Sequence, residues 1–385
     1  MLSYNKKDIE EYKVMLKNTG ALSRLFSESA APYLVSRSTE NIYCEAFKAE
    51  NLSRSDCTAD AKYKNVGIGI KTFLEGNGRT LQKVAEFNKQ TDEYRNKTPK
   101  ELIYKVAELR NERIRFTEAT HNLTHMIYHC VTREDSKILI YEEPMDPIQI
   151  KSIKNINAKK TTISFEDGLH EYSFNITKST LYKRFNFNDI EPMWEIDVNI
   201  IEQPYRALEA VQQYISSGNF VDSVKNDPEE GISVEDKPFV ILPLFSDRGE
   251  RHVPERSGLN QWNAKGRPRD ANEIYVPIPA WLHRIFNGFF PARDQPFNLQ
   301  IPDGRFLNVK LCQEGSKALM SNPNSDLGKW LLRDVFALKD RQLLKYEDLE
   351  LAGIDSVCVT KLDENNYKID FCELGTYDKF VEEHA

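Results

Sequence analysis

The chain has no apolar run approaching the roughly 18–20 residues that a membrane helix needs, and none of its six cysteines stands in a C-x-x-C pair. The first absence excludes a spanning helix. The second argues against a thiolate zinc site, which needs clustered ligands. Cys44, Cys57, Cys130, Cys312, Cys358 and Cys372 therefore read as reduced thiols. Glycine and proline, 17 each in 385 residues, are too sparse for collagen-like or low-complexity sequence. The opening MLSYNKKDIEEYKV is too charged for a secretory leader. What remains is expected to be a folded, cytoplasmic protein, long enough for two domains rather than one core.

Charge is informative only when divided. The formal total is −7, yet Pro238–Arg341 holds 15 Lys and Arg against 11 Asp and Glu, a local +4 that leaves −11 elsewhere. A phosphate backbone senses potential within about a Debye length, roughly 10 Å at 0.1 M salt, so the acidic total does not exclude it.

The acidic stretch VDSVKNDPEEGISVEDK, 221–237, reads as a linker between residues 1–220 and 238–385. Before it, Ile9, Tyr12, Met15 and Leu16 predict a helix, and Glu40–Ala49 predicts another. Strands are expected at Thr58–Tyr63 and Val66–Phe73 around a turn at Lys64–Asn65. Leu81, Val84 and Ala85 place Arg79–Lys89 on a helix, and Leu102, Val106 and Leu109 do the same for Pro99–Arg115. Met126–Val131 is strand-like, and Asp146–Phe185 alternates in a β manner. The mixture points to an α/β core. After the linker, FVILPLF and short strand-like runs separated by turns such as Asp303-Gly304 suit a small barrel.

Chemistry-bearing residues concentrate in two places. In DCTADAKYKNVGIGIKTF, a hairpin would bring Asp60 and Lys71 to one sheet edge. A carboxylate there can hold a hard divalent ion, and a lysine beside it can orient water or stabilise charge growing on a phosphate. Gly67 and Gly69 share the face of Lys71, leaving room for a nucleic-acid backbone or a metal-bound water. An exposed Asp and Lys of a plain hairpin would give the same spacing. His121, His125 and His129 would line one face of a helix, but MIYHCV favours a strand, which breaks the set as a metal site. The second place is RGERHVPERSGLNQWNAKGRPRDANEIYVPIP with NPNSDLGKWLLRD. There Arg, Lys, Asn, Gln and Ser, the residue types that read base edges and grip phosphates, crowd a Gly/Pro-rich segment.

The hairpin resembles the PD-(D/E)XK nuclease core, in which an Asp on one strand and a (D/E)-x-K on the next flank Mg²⁺. Asp60 and Lys71 match, but Gly69 stands where the second acid belongs. The resemblance implies an acid from elsewhere, Glu86 or Glu45, with Asp60 and Glu86 as metal ligands. The SGLN and NEIYVPIP blocks, with NSDLGKWL, resemble the C-terminal domain of NgoFVII-type restriction endonucleases, a B3-like DNA-binding pseudobarrel with two arms. Carried over, the first arm holds Arg251, Glu255, Arg256, Ser257, Asn260, Trp262 and Asn263, and Arg267 and Arg269 are further DNA-binding candidates. The second holds Asn324, Ser325, Asp326 and Lys329.

That family usually carries a phospholipase D-like nuclease, whose signature has Lys two residues after His. None of the seven histidines here has one. The resemblances together imply a Type II restriction endonuclease: an α/β (α+β) nuclease core of PD-(D/E)XK type, then an all-β-rich B3-like pseudobarrel. They also imply double-stranded DNA, a homodimer or transient dimer on DNA, and a companion DNA methyltransferase. A non-catalytic DNA-binding protein and a modification-dependent or repair nuclease are the alternatives.

Overall fold

The computed structural model describes residues 2–52, 57–76, 79–216 and 237–384. Contacts divide the chain into two units, and the division is not a single cut. The first comprises Met1–Arg54, Ala59–Glu86 and Thr124–Glu235; the second comprises Ser55–Thr58, Phe87–Leu123 and Asp236–Ala385. A cut at residue 220 would place Phe87–Leu123 in the first. The segment 221–236 lies outside the described residues.

In the first unit, Asn5 caps α1 (Lys6–Ala21) by accepting the Lys7 N–H at 3.0 Å. The predicted stripe of α1 turns Tyr12 and Leu16 into the core. α2 (Ser36–Phe47) follows and buries Ile42, Tyr43, Ala46 and Phe47. The chain continues through β1 (Glu50–Asn51), β2 (Ala61–Tyr63), β3 (Val66–Leu74) and β4 (Arg79–Glu86). It then departs into α3 (Pro99–His121), which belongs to the second unit, and returns as β5 (His125–Glu134) and β6 (Lys137–Pro144). Four short strands follow: β7 (Lys154–Ala158), β8 (Thr162–Glu166), β9 (Glu171–Asn175) and β10 (Thr180–Asn186). β11 (Trp194–Asp197) and α4 (Pro204–Ser216) complete the unit.

Six strands form a mixed sheet in the order β1-β2-β3-β5-β6-β11, with β3 and β5 parallel. Its Ile68, Ile70, Ile127 and Val131 pack in one core with Tyr12, Leu16, Tyr43 and Phe47 of the helices. An antiparallel sheet, β4-β10-β9-β8-β7, supplies aromatic partners to the same strands. Tyr128 meets Phe185 edge-on at 5.1 Å, and Tyr141 stacks on Phe187 at 4.1 Å.

The helix predicted for Arg79–Lys89 is instead a strand. β4 pairs with β10 from Arg79↔Asn186 to Glu86↔Thr180, and the register slips between Leu181 and Tyr182 so that Val84 is skipped. That bulge sets Val84 and Ala85 side by side as apolar neighbours and hides the period of two. Strand pairing then overrides the local helical spacing.

The second unit carries one seven-stranded sheet: β12 (Phe239–Pro243), β13 (Val276–Pro277), β14 (Pro296–Gln300), β15 (Phe306–Cys312), β16 (Ala318–Ser321), β17 (Ile354–Lys361) and β18 (Asn366–Glu373). The order is β12-β17-β18-β14-β15-β16-β13, and the two ends approach each other, so the sheet is nearly a closed barrel. Helices α5 (Ala280–Ile285), α6 (Asp326–Gly328), α7 (Tyr346–Ala352) and α8 (Thr376–His384) decorate it, and α6 runs on into a π-helical segment, Lys329–Val335. α3 joins this core through Phe116, which is 3% exposed and meets Phe371 at 5.0 Å. Among the described residues no helix is long and apolar enough to cross a membrane.

Candidate hydrolytic hairpin and candidate nucleic-acid interface

Asp60 immediately precedes β2, and Lys71 lies within its hairpin partner β3. The carboxylate is pinned from behind: Oδ2 accepts the Ile70 N–H at 2.7 Å, and the Asp60 N–H donates to Ile68 O at 2.8 Å. Burial pushes the Asp60 carboxyl above its ordinary range. The charge of Lys71 and the Ile70 N–H oppose that push, Glu40 adds to it and Arg37 offsets part of it. Lys71 is half-buried, and its ammonium makes no hydrogen bond or ion pair among the described residues.

The acid acting on Asp60 is therefore Glu40, which sequence reasoning did not select. It lies on α2, is paired with Arg37 at 3.2 Å and has a side chain 13% exposed. Its signal was present, since Glu40 and Cys44 stand at i and i+4 on one helix face. Burial, with Glu40 and Asp60 nearby, pushes the Cys44 thiol up to about 12, so Cys44 stays protonated. Glu45 is exposed and paired with Lys48 at 3.4 Å. Glu86 sits at the end of strand β4, not on a helix, and pairs with Lys83. Among the described residues, no group of three or more His, Cys, Asp or Glu could hold a metal ion.

Gly69 does not leave an open approach. A β-carbon there would lie 2.5 Å from Met145 Cε and 3.3 Å from the Tyr128 ring, so the missing side chain is filled by protein. The histidine triplet is dispersed: His121 ends α3 in the second unit, His125 opens β5, and His129 is fully buried. His129 bridges the Tyr12 hydroxyl at 2.9 Å and Glu142 Oε1 at 3.0 Å, while the Tyr4 hydroxyl donates to the same oxygen. Burial presses the Glu142 carboxyl upward, but His129 and Tyr4 outweigh it and hold the group below the usual range. This is a buried core network centred on Glu142 Oε1, with Oε2 of the same carboxylate left without a hydrogen-bond partner among the described residues.

In the second unit the residues expected to grip DNA fall into two groups. Asn260 is fully buried; its amide donates to Leu344 O at 2.9 Å and Pro254 O at 3.2 Å and accepts from the Leu344 N–H at 3.0 Å. Trp262 is buried, and Asn263 donates to Glu255 O. Arg251 forks onto Asp378 at 2.9 and 3.1 Å and lies 4.2 Å over the Phe245 ring. Arg267 is bidentate to buried Glu273, and Arg269 pairs with the same acid and with loop carbonyls. These side chains build the arm.

The others are presented to solvent. Glu255, Arg256 and Asn324 are exposed, and Arg256 has no hydrogen bond or ion pair among the described residues. Ser257 is half-buried. Ser325 Oγ donates to Asp326, and Lys329, 57% exposed, reaches Asp326 at 3.2 Å.

No curated protein matches the chain. Residues 232–363, 132 of the 385, match the family model described as the NgoFVII C-terminal B3-like DNA-binding domain, a domain of restriction enzymes.

Proposed function

We propose that the chain is a Type II restriction endonuclease, a site-specific deoxyribonuclease that reads double-stranded DNA with its second unit and hydrolyses it with its first. The family match over residues 232–363 carries the reading. The division of the arms supports it: Arg256, Asn324 and Lys329 are exposed beside a scaffold that holds Asn260, Asn263 and Arg267 by hydrogen bonds, as base- and phosphate-reading groups must be.

Hydrolysis is read from the hairpin. Asp60 is locked in orientation, and its carboxylate is crowded by burial and by Glu40, a charge environment that a divalent cation would relieve. Magnesium is commonly held by one or two carboxylates together with substrate phosphates, so Asp60 and Glu40 fit it without a third protein ligand. Glu40 takes the role that Glu86 or Glu45 would otherwise fill. Bound magnesium supplies Lewis-acid polarisation of the phosphate and acidifies coordinated water. Lys71, with an unengaged ammonium, orients the attacking water and stabilises the charge growing on the phosphate. Cutting both strands calls for two copies, paired stably or only on DNA, and a companion methyltransferase would protect the same site.

The alternative is a DNA-binding protein without catalysis, favoured by the lack of a three-ligand cluster among the described residues. Digestion of a sequenced plasmid with Mg²⁺, followed by end mapping, separates the two. Defined ends from wild type, lost with EDTA and in Lys71→Ala, are expected. Intact plasmid with retained binding would leave only the reader. Cleavage restricted to methylated DNA would establish a modification-dependent enzyme instead.

A further inference from the structure

The second unit includes a helix that the sequence places between strands of the first, and this helix reaches the segment carrying the second arm. Arg115 of α3 donates from Nη1 to Val335 O at 3.0 Å. Val335 is the last residue of the π-helical segment, and that carbonyl is one of the acceptors a helix end leaves without an internal donor. The guanidinium is itself fixed, with Nε 3.0 Å from each oxygen of Glu112. Next to it, Phe116 packs on Phe336 at 5.8 Å, directly after Val335.

The other end of the same segment is held by Ala271 and Asn272, just beyond Arg269. Gly328 lies so close to Asn272 that a β-carbon would fall 2.0 Å from the Asn272 carbonyl oxygen. Arg333 spans between, donating to Asn272 Oδ1 at 2.7 Å, to Ala271 O at 2.8 Å and to Leu338 O at 3.0 Å. A short segment fixed at both ends has a defined pitch, and the exposed Asn324 and Lys329 lie at its start.

We infer that α3 sets the pose of the second DNA-reading arm, with Arg115 as the positioning residue acting through Val335. The inference rests on the reading of this unit as a DNA reader. Arg115 is not what attaches the helix. Farther along, Arg113 donates to Gln90 at 2.6 Å and lies 4.6 Å over the Phe87 ring, and Gln90 donates to Glu350 O. Loss of the Arg115 contact therefore loosens the arm while α3 stays docked.

The experiment uses the full chain. Wild type first selects a binding site from a randomised duplex library, and affinity is then measured for that duplex and for poly(dI-dC) without Mg²⁺. Arg115→Met keeps the apolar stem and removes the donor; Arg115→Lys restores a donor. The expected result is a loss of about tenfold in preference for the selected duplex in Arg115→Met, about 1.4 kcal/mol, with poly(dI-dC) affinity unchanged and partial recovery in Arg115→Lys. Hydrogen exchange should quicken within 324–335 in Arg115→Met and not in α3. Undiminished preference in a folded Arg115→Met overturns the inference. Should that variant unfold, Arg115→Gln, which stays polar but is too short to carry a donor to Val335 O, is measured in its place, and undiminished preference there overturns the inference equally. A wild type that selects no sequence removes the DNA-reading function itself, a different failure.

Discussion

Gly328 and Asn272 touch through backbone. The position a β-carbon would occupy on Gly328 is 2.0 Å from the Asn272 carbonyl oxygen, 2.7 Å from its carbonyl carbon and 3.0 Å from its Cα. Gly328 has φ −75°, so this glycine is required by proximity and not by conformation. The contact fastens the start of the Lys329–Val335 segment to the loop that follows Arg269.

Gly328→Ala should therefore destabilise the second unit by about 3 kcal/mol, the upper end for overpacking, because the obstructing atoms are main chain and cannot rotate away. Urea unfolding followed by tryptophan fluorescence measures it, since Trp262 and Trp330 are both buried there. A loss below about 1 kcal/mol would mean that segment and loop separate freely.

Arg256→Ala and Asn260→Ala should fail in different ways. Arg256 is exposed and unengaged, so its loss costs about 1–3 kcal/mol of specific binding with an unchanged melting temperature. Asn260→Ala strands the buried Leu344 N–H and carbonyl, so it should cost about 2 kcal/mol or more of stability. Binding isotherms beside thermal melts of both variants distinguish the roles.

Under the proposed nuclease mechanism, Lys71→Ala, Asp60→Asn and Glu40→Gln should each lower Mg²⁺-dependent cleavage by about 10²-fold or more. Glu45→Gln and Glu86→Gln should cleave like wild type, since Glu40 is the carboxylate whose charge bears on Asp60. Rates on one plasmid substrate decide it, and a dead Glu86→Gln beside an active Glu40→Gln would reverse the assignment.

Asp60 also ties stability to pH. Its folded pKa is raised by burial first, so the folded state favours the protonated acid. The resulting stability is complete below the ordinary aspartate range, about pH 4, and is lost as pH rises through the raised folded value. Asp60→Asn should accordingly match wild type in acid and melt higher at neutral pH while losing cleavage. Added Mg²⁺ should raise the melting temperature of wild type and leave Asp60→Asn unmoved.

Glu142 has the opposite sign. Burial raises it, but His129 and Tyr4 hold it lower still. The stability it contributes is present above the ordinary glutamate range, near pH 4.3, and disappears as pH falls through the depressed folded value. His129→Leu leaves a buried carboxylate without that partner, so a cost of about 3–5 kcal/mol is expected at pH 7. The penalty should shrink toward pH 4, as unfolding curves at both values would reveal.

Local chemistry made several elements legible. The stripe of Ile9, Tyr12 and Leu16, the turn at Lys64–Asn65 and the run FVILP each specify their element through periodicity or turn preference. That Asp60 and Lys71 fall on the two strands of one hairpin follows from the turn at Lys64–Asn65. Other features depend on residues far away in sequence. β4 reads as a helix until β10 supplies its partners, because the bulge at Val84 erases the alternation.

The sequence by itself determined which residue types could meet DNA and which hairpin could bring a carboxylate to a lysine, since composition and short-range spacing fix both. Only the tertiary structure decided the rest: that the charge of Glu40 bears on Asp60 while Glu86 ends a strand beside Lys83, that Met145 fills the gap at Gly69, that Asn260 is buried and Arg251 is held by Asp378, and that Phe116 belongs to the C-terminal core. Each of those depends on long-range packing and burial, which set a side chain's charge environment and its partners and which no local window of sequence contains.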